Sequence, residues 1–181
     1  MIELRIPLTE KDIERLNYGD EVLLNGTIFT ARDKAHLFLL QNNFEKMHNS
    51  VIYHCGPIIK EGKVVSAGPT TSARLNAYTP ELIKKYDIKA VIGKGGMDKT
   101  VLNALKDKAV YFAAIGGLGV IYAKSIAVKN VYQEEFGMAE AIWEFEIKDF
   151  PVIVAMDSKG NSLYEEVLEK SENRYKELIK Q

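Results

Sequence analysis

Three cationic side chains and one hydroxyl stand where they could bind a small anion and act on it. Arg32 follows the run TIFTA, Arg74 lies four residues after Thr70 in GPTTSAR, and Lys94 lies within the glycine-rich GKGG. Each follows a strand-like run, and α/β folds commonly gather ligand-binding groups where strands end. An arginine can bind a carboxylate through two parallel hydrogen bonds and a lysine adds a compact charge, so we expect these cations to bind a small dicarboxylate.

The segment SAGPTTSARLNAYTP is the first of the elements that must position these groups. A strand ends at Gly68-Pro69, and Thr70 or Thr71 is suited to cap the turn that follows. The start of a helix exposes backbone N–H groups and a positive dipole end, which favour a carboxylate or a phosphate. Arg74 lies on the same face as Thr70 if this turn is helical. The spacing alone still favours an ordinary cap with a surface arginine.

The stretch GKGGMDKT resembles the phosphate-binding loop G-x-x-x-x-G-K-[ST] but departs from it at one required glycine. Asp98 stands at that position and brings a negative charge to the place where phosphates would lie. The sequence therefore argues against ATP or GTP binding. Lys94, inside the turn, is better placed than Lys99 to reach a small ligand, although a solvated loop lysine is the simpler interpretation of this motif alone.

Two other residues invite a chemical role. His36 lies four residues after Arg32 and could face the same site, but a half-buried histidine on a helix is the simpler interpretation. Cys55 is the only cysteine, so the chain forms no internal disulfide. A structural zinc or an iron–sulfur cluster usually needs three or four ligands. We therefore predict that Cys55 is a small core residue and that this chain ligates no metal.

The composition limits the partners of the chain. Its 24 Lys and Arg residues nearly balance 25 Asp and Glu residues, which leaves a net charge of -1 and no basic excess for nucleic acid or an acidic membrane. The start MIELRIPLTEKD lacks the apolar stretch of a signal peptide, and the longest apolar run is shorter than the about 20 residues of a membrane helix. We predict a cytoplasmic protein with neither nucleic acid nor membrane as partner.

The hydrophobic patterns predict an α/β fold in one domain spanning residues 1–181. Thr9 and Asp12 resemble a helix capping box, Asn25-Gly26 predicts a hairpin turn, and Asp33 is a candidate helix cap. Because helices and strands do not alternate strictly, we expect a mixed sheet or a partly closed barrel flanked by helices. Strands are predicted in MIELRIPL, SVIYHCGPII, KVVSAG, KAVIG, AVYFAAIGGLGVIYA and FPVIVAMD, and helices in EKDIERL, KAHLFLLQNNFEKM, PELIKKY, DKTVLNALKDK and LYEEVLEKSENRYKELIKQ.

Taken together, five segments resemble the β subunit of the class I, iron–sulfur-dependent fumarases and L-tartrate dehydratases. They are TARDKAH, GPTTSAR, GKGG, AAIGGLG and FGMAEAIWEFEIKDFPVIVAMDSKGN. The resemblance covers nearly the whole chain, and the segments occur in the same order as in the C-terminal part of single-chain members. It implies a swivelling β/β/α fold.

The resemblance also implies an activity, a partner and site residues. It implies a hydro-lyase that hydrates fumarate to L-malate, with a [4Fe-4S] cluster carried on three cysteines of a partner α subunit in an α2β2-type heteromer. Thr70 would be the candidate base, while Arg32, Arg74 and Lys94 would hold the substrate carboxylates. FGMAEAIW differs slightly in spacing from the family form, which leaves the role of Glu140 open. An L-tartrate or methylfumarate dehydratase subunit and a non-catalytic carboxylate-binding module remain alternatives.

Overall fold

The computed structural model describes residues 1–179, and the predicted end of the last helix at residues 180 and 181 lies outside them. Within these described residues the strands are β1 Ile2–Arg5, β2 Glu21–Thr30, β3 Val51–Tyr53, β4 Ile58–Lys60, β5 Lys63–Ser66, β6 Ala90–Gly93, β7 Val110–Ala113, β8 Ile126–Tyr132 and β9 Ile142–Met156. The α-helices in the same part of the chain are α1 Glu10–Arg15, α2 Asp33–Gln41, α3 Thr79–Tyr86, α4 Lys99–Leu105, α5 Gly119–Ala123 and α6 Leu163–Leu178. Short 3-10 turns lie at Glu45–Met47, Ser72–Leu75 and Glu134–Phe136.

Five strands form a closed, barrel-like sheet. β2, β3, β6 and β7 run parallel to one another in that order, and β9 pairs antiparallel with both β7 and β2. β1 pairs with β2, β8 pairs with β9, and β4 with β5 forms a separate two-stranded sheet. The predicted mixed α/β fold with a barrel flanked by helices is confirmed.

Alternate residues of the parallel strands face two hydrophobic clusters, as the two-residue period of a strand requires. Tyr53 and Phe112 belong to a cluster with Phe145 and Phe150 of β9. The intervening residues pack on helices α2, α3 and α4, whose apolar stripes give the helix periodicity seen in the sequence. The residues of this second cluster include Ile52, Val91, Tyr111, Leu39, Leu82 and Val101. In residues 1–179 no helix has both the length and the apolar character needed to cross a membrane.

The predicted hairpin at Asn25-Gly26 is wrong, because β2 runs unbroken from Glu21 to Thr30. The pairing register with β9 shifts between Leu24 and Gly26, so the two residues form a bulge instead of a turn. Gly26 has φ +118°, and a Cβ there would lie 2.8 Å from the carbonyl oxygen of Ile6. Glycine is therefore required by the backbone conformation and by the close approach of a neighbouring segment.

Other local predictions met mixed outcomes. The Thr9 and Asp12 capping box is present at the start of α1. Asp33 does not cap α2, since Arg32 occupies the cap position and makes no side-chain cap hydrogen bond. The predicted strand AVYFAAIGGLGVIYA is only partly strand, because β7 ends at Ala113 and α5 begins at Gly119. A Cβ on Gly119 would lie 2.9 Å from the Gly68 nitrogen, so this helix packs closely on the preceding segment.

Candidate functional site

The carboxyl ends of the parallel strands lie along one edge of the barrel, as in other sheets of this kind. Arg32 follows the end of β2, His54 follows β3, Lys94 follows β6 and Gly116 follows β7. The strands β2, β3, β6 and β7 are neighbours in the sheet. The structure therefore brings Arg32 and Lys94 to the same edge, as predicted from their positions after strand-like runs.

The segment that contains Thr70 crosses this edge and pairs with the strand ends. The Thr70 N–H donates to the His54 carbonyl at 2.6 Å, and the Lys94 N–H donates to the Thr70 carbonyl at 3.2 Å. The Ser72 N–H in turn donates to the Lys94 carbonyl at 3.0 Å. These backbone bonds place Thr70 next to Lys94. The predicted cap is wrong in detail, because the turn is a 3-10 turn whose N-cap, Thr71, makes no side-chain cap hydrogen bond.

Arg74 reaches from this turn to the start of α2. Its Nη2 donates to Asp33 Oδ2 at 3.0 Å, and Asp33 directly follows Arg32. The Arg74 side chain is 50% exposed and that of Asp33 44% exposed, so their mutual attraction is weakened by solvent. A carboxylate ligand could replace Asp33 as the partner of Arg74 at little cost. Asp33 is a site neighbour that the sequence analysis missed, since there it was assigned only to a helix start.

Arg32 is held more firmly than Arg74. Its side chain is 25% exposed, its Nε lies 3.4 Å from Glu140 Oε1, and this buried Nε makes no hydrogen bond within the described residues. A Cβ on Gly56 would lie 2.8 Å from Arg32 Nη1 and 2.9 Å from the Ala139 carbonyl oxygen. Gly56 is thus the residue that leaves room for the guanidinium. Glu140, whose role the sequence left open, stands beside Arg32.

Lys94 lies at the border of an open groove with a mainly apolar lining. The groove has a volume of about 530 Å³, and its other lining residues include Ile115, Gly116, Tyr164 and Val167. A Cβ on Gly116 would lie 3.3 Å from Lys94 Cδ, so this glycine gives the lysine stem its space. The apolar stem of the Lys94 side chain therefore lies against the protein, and its ammonium group can reach a ligand.

The near match to a phosphate loop fails for a visible reason. The Asp98 carboxylate caps α4 by accepting the N–H groups of Thr100 at 3.0 Å and Val101 at 3.1 Å. The hydrogen bond from the Thr100 hydroxyl, above all, lowers the pKa of Asp98, so the cap is ionised at neutral pH. A phosphate at this helix start would meet a negative charge and N–H groups that are already bonded.

A buried polar network lies beneath the Thr70 segment, and sequence reasoning missed it. His54 Nδ1 is 2.9 Å from Ser72 Oγ, and Tyr111 Oη is 3.0 Å from the same oxygen and 2.8 Å from the Gly95 carbonyl. A Cβ on Gly93 would lie 1.8 Å from Ser72 Oγ, so the hydroxyl occupies space that only glycine leaves empty. The one signal in the sequence was the glycine that ends β6.

The other histidine and the cysteine near this edge are buried and neutral. His36 Nδ1 donates to the Arg32 carbonyl at 2.8 Å, and burial lowers the pKa of His36 to about 4. Burial, together with the nearby His36, also lowers the pKa of His54 well below the ordinary histidine value. Burial raises the pKa of the Cys55 thiol to about 12, so Cys55 is a core residue and no nucleophile. His36 supports the Arg32 backbone and does not present a free nitrogen at Nδ1.

Comparison with known proteins places this arrangement in a family. A family profile described as Fumarase C-terminus matches residues 1–167. The chain is 49% identical over 186 aligned residues to the "Putative L(+)-tartrate dehydratase subunit beta" of Methanocaldococcus jannaschii, covering 95% of each chain. It is 34% identical to the L(+)-tartrate dehydratase subunit beta of Escherichia coli K12, covering 90% of this chain and 86% of the relative.

A longer relative contains the same segment. The chain is 45% identical to the "Putative fumarate hydratase class I" of Geobacillus stearothermophilus over 92% of its own length, but it spans only 34% of that protein. The match confirms the resemblance drawn from the five sequence segments. The chain belongs to the fumarase C-terminal family, the family of the tartrate dehydratase β subunits and of the corresponding part of class I fumarate hydratases, whose members are hydro-lyases.

Proposed function

We propose that this chain is the β subunit of a heteromeric hydro-lyase that interconverts fumarate and L-malate. The observation that carries the proposal is the placement of Thr70, Arg32 and Lys94 along one barrel edge, with Arg74 bonded to Asp33, the residue after Arg32, in a member of this family. The three cations lie on separate elements, which suits a substrate with two separate carboxylates.

The cations would bind the substrate with unequal freedom. Arg32 is fixed between Gly56 and Glu140 and would hold one carboxylate in a defined place. Arg74 would exchange its exposed partner Asp33 for a substrate carboxylate, which keeps its charge paired in both states. Lys94 would add a compact positive charge from the groove. This arrangement would orient a flat dicarboxylate before any bond changes.

Thr70 would act on the proton of the carbon next to a substrate carboxylate. A threonine hydroxyl is a weak base, so its deprotonated form needs nearby positive charge. Lys94 is a candidate source of this charge, since its backbone is hydrogen-bonded to that of Thr70, and Arg74 follows Thr70 by four residues. In the hydration direction the Thr70 hydroxyl would return a proton to the same carbon.

We assign the [4Fe-4S] cluster to a partner α subunit. Within residues 1–179 there is no group of three or more His, Cys, Asp or Glu residues arranged to hold a metal ion, and the thiol of Cys55 is buried. This chain's residues therefore do not fit the cluster. When bound in the partner, a cluster with one open iron would supply a Lewis acid for the substrate hydroxyl. A reducing cytoplasm suits both a free thiol and an iron–sulfur cluster, and we place the complex there.

Exposed apolar residues beside Lys94 support a partner that covers this edge. Ile115 is 58% exposed and Val167 54% exposed, and both line the groove next to the lysine. Apolar surface that borders a site commonly marks a place where another protein binds. A partner seated there would enclose the substrate between the two subunits, and we propose an α2β2-type heteromer.

The test is anaerobic co-expression of this chain with the protein encoded by the neighbouring gene. We expect the purified complex to change the ultraviolet absorbance of fumarate in both directions, and this chain alone to be inactive. Full activity from this chain alone would contradict the division of labour. A complex that binds L-malate without turnover would instead indicate a non-catalytic carboxylate-binding module.

Dehydration of L(+)-tartrate is a second candidate function. It is favoured by the two relatives named as tartrate dehydratase β subunits, at 49% and 34% identity. L(+)-tartrate differs from L-malate by one hydroxyl group, and methylfumarate differs from fumarate by one methyl group. The walls of the pocket distinguish such differences through kcat/KM. Measuring kcat/KM of the same complex for L-malate, L(+)-tartrate and methylfumarate decides among them, and a tartrate value well above the malate value would overturn the fumarase assignment.

A further inference from the structure

The buried network beneath the Thr70 segment has a composition that general stability does not require. His54, Ser72 and Tyr111 each have no exposed surface. Burying polar groups is costly unless they are hydrogen-bonded, so an apolar core would be the simpler way to attach this segment. A hydrogen-bonded polar network instead favours one geometry, because its hydrogen bonds are lost in any other arrangement.

The protons of this network can be ordered from one end. The Gly95 carbonyl can only accept, so the single proton of Tyr111 Oη serves it at 2.8 Å. The Ser72 hydroxyl then donates to Tyr111 Oη across 3.0 Å, and His54 Nδ1–H donates to Ser72 Oγ across 2.9 Å. The buried His54 Nε2 has no hydrogen-bond partner within the described part of the chain. The ring is thus held through Nδ1, and Ser72 is the central member.

His54 and Ser72 each bond to the backbone of a candidate site residue, and Tyr111 bonds to the residue after Lys94. The His54 carbonyl accepts the Thr70 N–H, and the Ser72 N–H donates to the Lys94 carbonyl. The Ser72 hydroxyl fills the space beside Gly93, and Tyr111 bonds to Gly95. Gly93 and Gly95 are the two chain neighbours of Lys94. The network therefore connects Thr70 with Lys94 from below, through both side chains and main chain.

We propose that Ser72, with His54 and Tyr111, positions Thr70 relative to Lys94 in the substrate site without touching the substrate. This inference rests on the proposed hydro-lyase function. Displacement of a reacting group by about 1 Å can cost a factor of roughly a hundred in rate, so loss of a network hydroxyl should lower turnover well beyond any loss of folded protein.

The chain offers a matched control for a buried hydroxyl. Tyr86 is also fully buried, and its Oη lies 2.8 Å from the Leu39 carbonyl oxygen and 2.6 Å from the Asn42 carbonyl oxygen, one of which accepts its proton. These partners lie at the end of α2 and outside the Thr70 segment. Tyr86→Phe and Tyr111→Phe thus remove the same chemical group from equally buried places. Only Tyr111→Phe should change catalysis if the network positions the site.

The kinetic test uses the co-expressed complex, with values normalised to folded, assembled protein. We expect Ser72→Ala and Tyr111→Phe each to lower kcat about tenfold or more with a smaller change in KM, and Tyr86→Phe to stay within about twofold of wild type. His54→Asn keeps a donor near the position of Nδ1 and should retain more activity than His54→Leu. Wild-type kcat in both Ser72→Ala and Tyr111→Phe would overturn the proposal.

A second measurement does not depend on activity. In the isolated chain, Ser72→Ala should speed amide hydrogen exchange at Thr70, at position 72 and at Lys94, while Tyr86→Phe should leave these amides unchanged. No change in exchange at these amides would overturn the positioning role, as would faster exchange with normal kcat. If the wild-type complex is inactive and Ser72→Ala still speeds exchange in the isolated chain, the hydro-lyase function is refuted and the positioning role is not. The two failures are therefore distinguishable.

Discussion

Removal of the Arg74 side chain should weaken substrate binding strongly but lower the stability of the chain only slightly. Within residues 1–179 the Arg74 guanidinium pairs with Asp33, and both side chains are about half exposed. Exposed ion pairs of this kind contribute about 0 to 1 kcal/mol. Arg74→Ala should therefore lower the free energy of unfolding by less than about 1 kcal/mol. For a chain of this size, that corresponds to a melting temperature lowered by at most about 4 °C.

The same substitution should strongly lower kcat/KM for the substrate. A hydrogen bond to a charged group contributes about 1.5 to 3 kcal/mol, and each 1.4 kcal/mol is a factor of ten. We therefore expect kcat/KM for fumarate in the assembled complex to fall roughly 10- to 150-fold in Arg74→Ala. Asp33→Asn breaks the same ion pair but keeps the arginine, and should leave kcat/KM within a few fold of wild type.

The assay is fumarate absorbance with the purified complex, beside thermal unfolding of each isolated variant. Arg15→Ala is a control for the loss of an exposed arginine, because Arg15 pairs with Asp12 at 3.0 Å on α1 and lies outside the candidate site. A value of kcat/KM for Arg74→Ala within twofold of wild type, with assembly intact, would refute a carboxylate-binding role for Arg74. A loss of stability much larger than 1 kcal/mol would refute the reasoning from exposure.

Three further predictions concern other residues of the same edge. Lys94→Ala should raise KM for the dicarboxylate about tenfold or more, while Lys99→Ala leaves KM unchanged. A titration with magnesium and ATP should show no binding. ATP binding that Lys99→Ala abolishes and Lys94→Ala does not would restore the phosphate-loop interpretation. Gly56→Ala should displace the Arg32 guanidinium, since the added Cβ would lie 2.8 Å from Nη1, and should raise KM with a stability loss of about 1 to 3 kcal/mol. Because both substitutions act on the same guanidinium, Arg32→Ala should raise KM little further in the Gly56→Ala background. Additive increases in KM would contradict this displacement of Arg32. The free energy of unfolding should fall as the pH decreases from about 6.5 toward 4. Burial lowers the pKa of His36 to about 4, so between these pH values only the unfolded chain protonates this histidine. In urea unfolding, His36→Gln should show a shallower pH dependence of stability, and an unchanged pH dependence would exclude His36 as its source.

The positions of the cations could be predicted from the sequence because they depend on local patterns. Arg32 and Lys94 each follow a hydrophobic run that ends a strand, and the pattern of such runs is visible without tertiary information. The buried network depends on pairs far apart in the chain. Ser72 meets His54 across 18 residues and Tyr111 across 39, so no local pattern connects them. Their roles as described here required the fold.

The wrong predictions arose where one local signal suits two structures. Asn-Gly is favoured in hairpin turns because glycine tolerates positive φ, and a β-bulge makes the same demand. Only the pairing of β2 with β9, more than a hundred residues later, distinguishes the two. The apolar run that contains the glycines after β7 suited either a long strand or a strand followed by a helix. The close packing of Gly119, the first residue of α5, on Gly68 is a tertiary contact that no local pattern shows.

The closure of the barrel by β9 has a consequence for how the protein folds. Glu21 of β2 pairs with Ile153 of β9 and Phe29 pairs with Glu144, so the sheet closes through contacts between segments that lie far apart in the chain. Proteins rich in such distant contacts fold slowly, because long loops must close before the contacts form. Until β9 arrives, β2 and β7 each present an unpaired edge that another chain can join. While the chain is being synthesised, these open strand edges therefore expose it to aggregation until β9 completes the barrel.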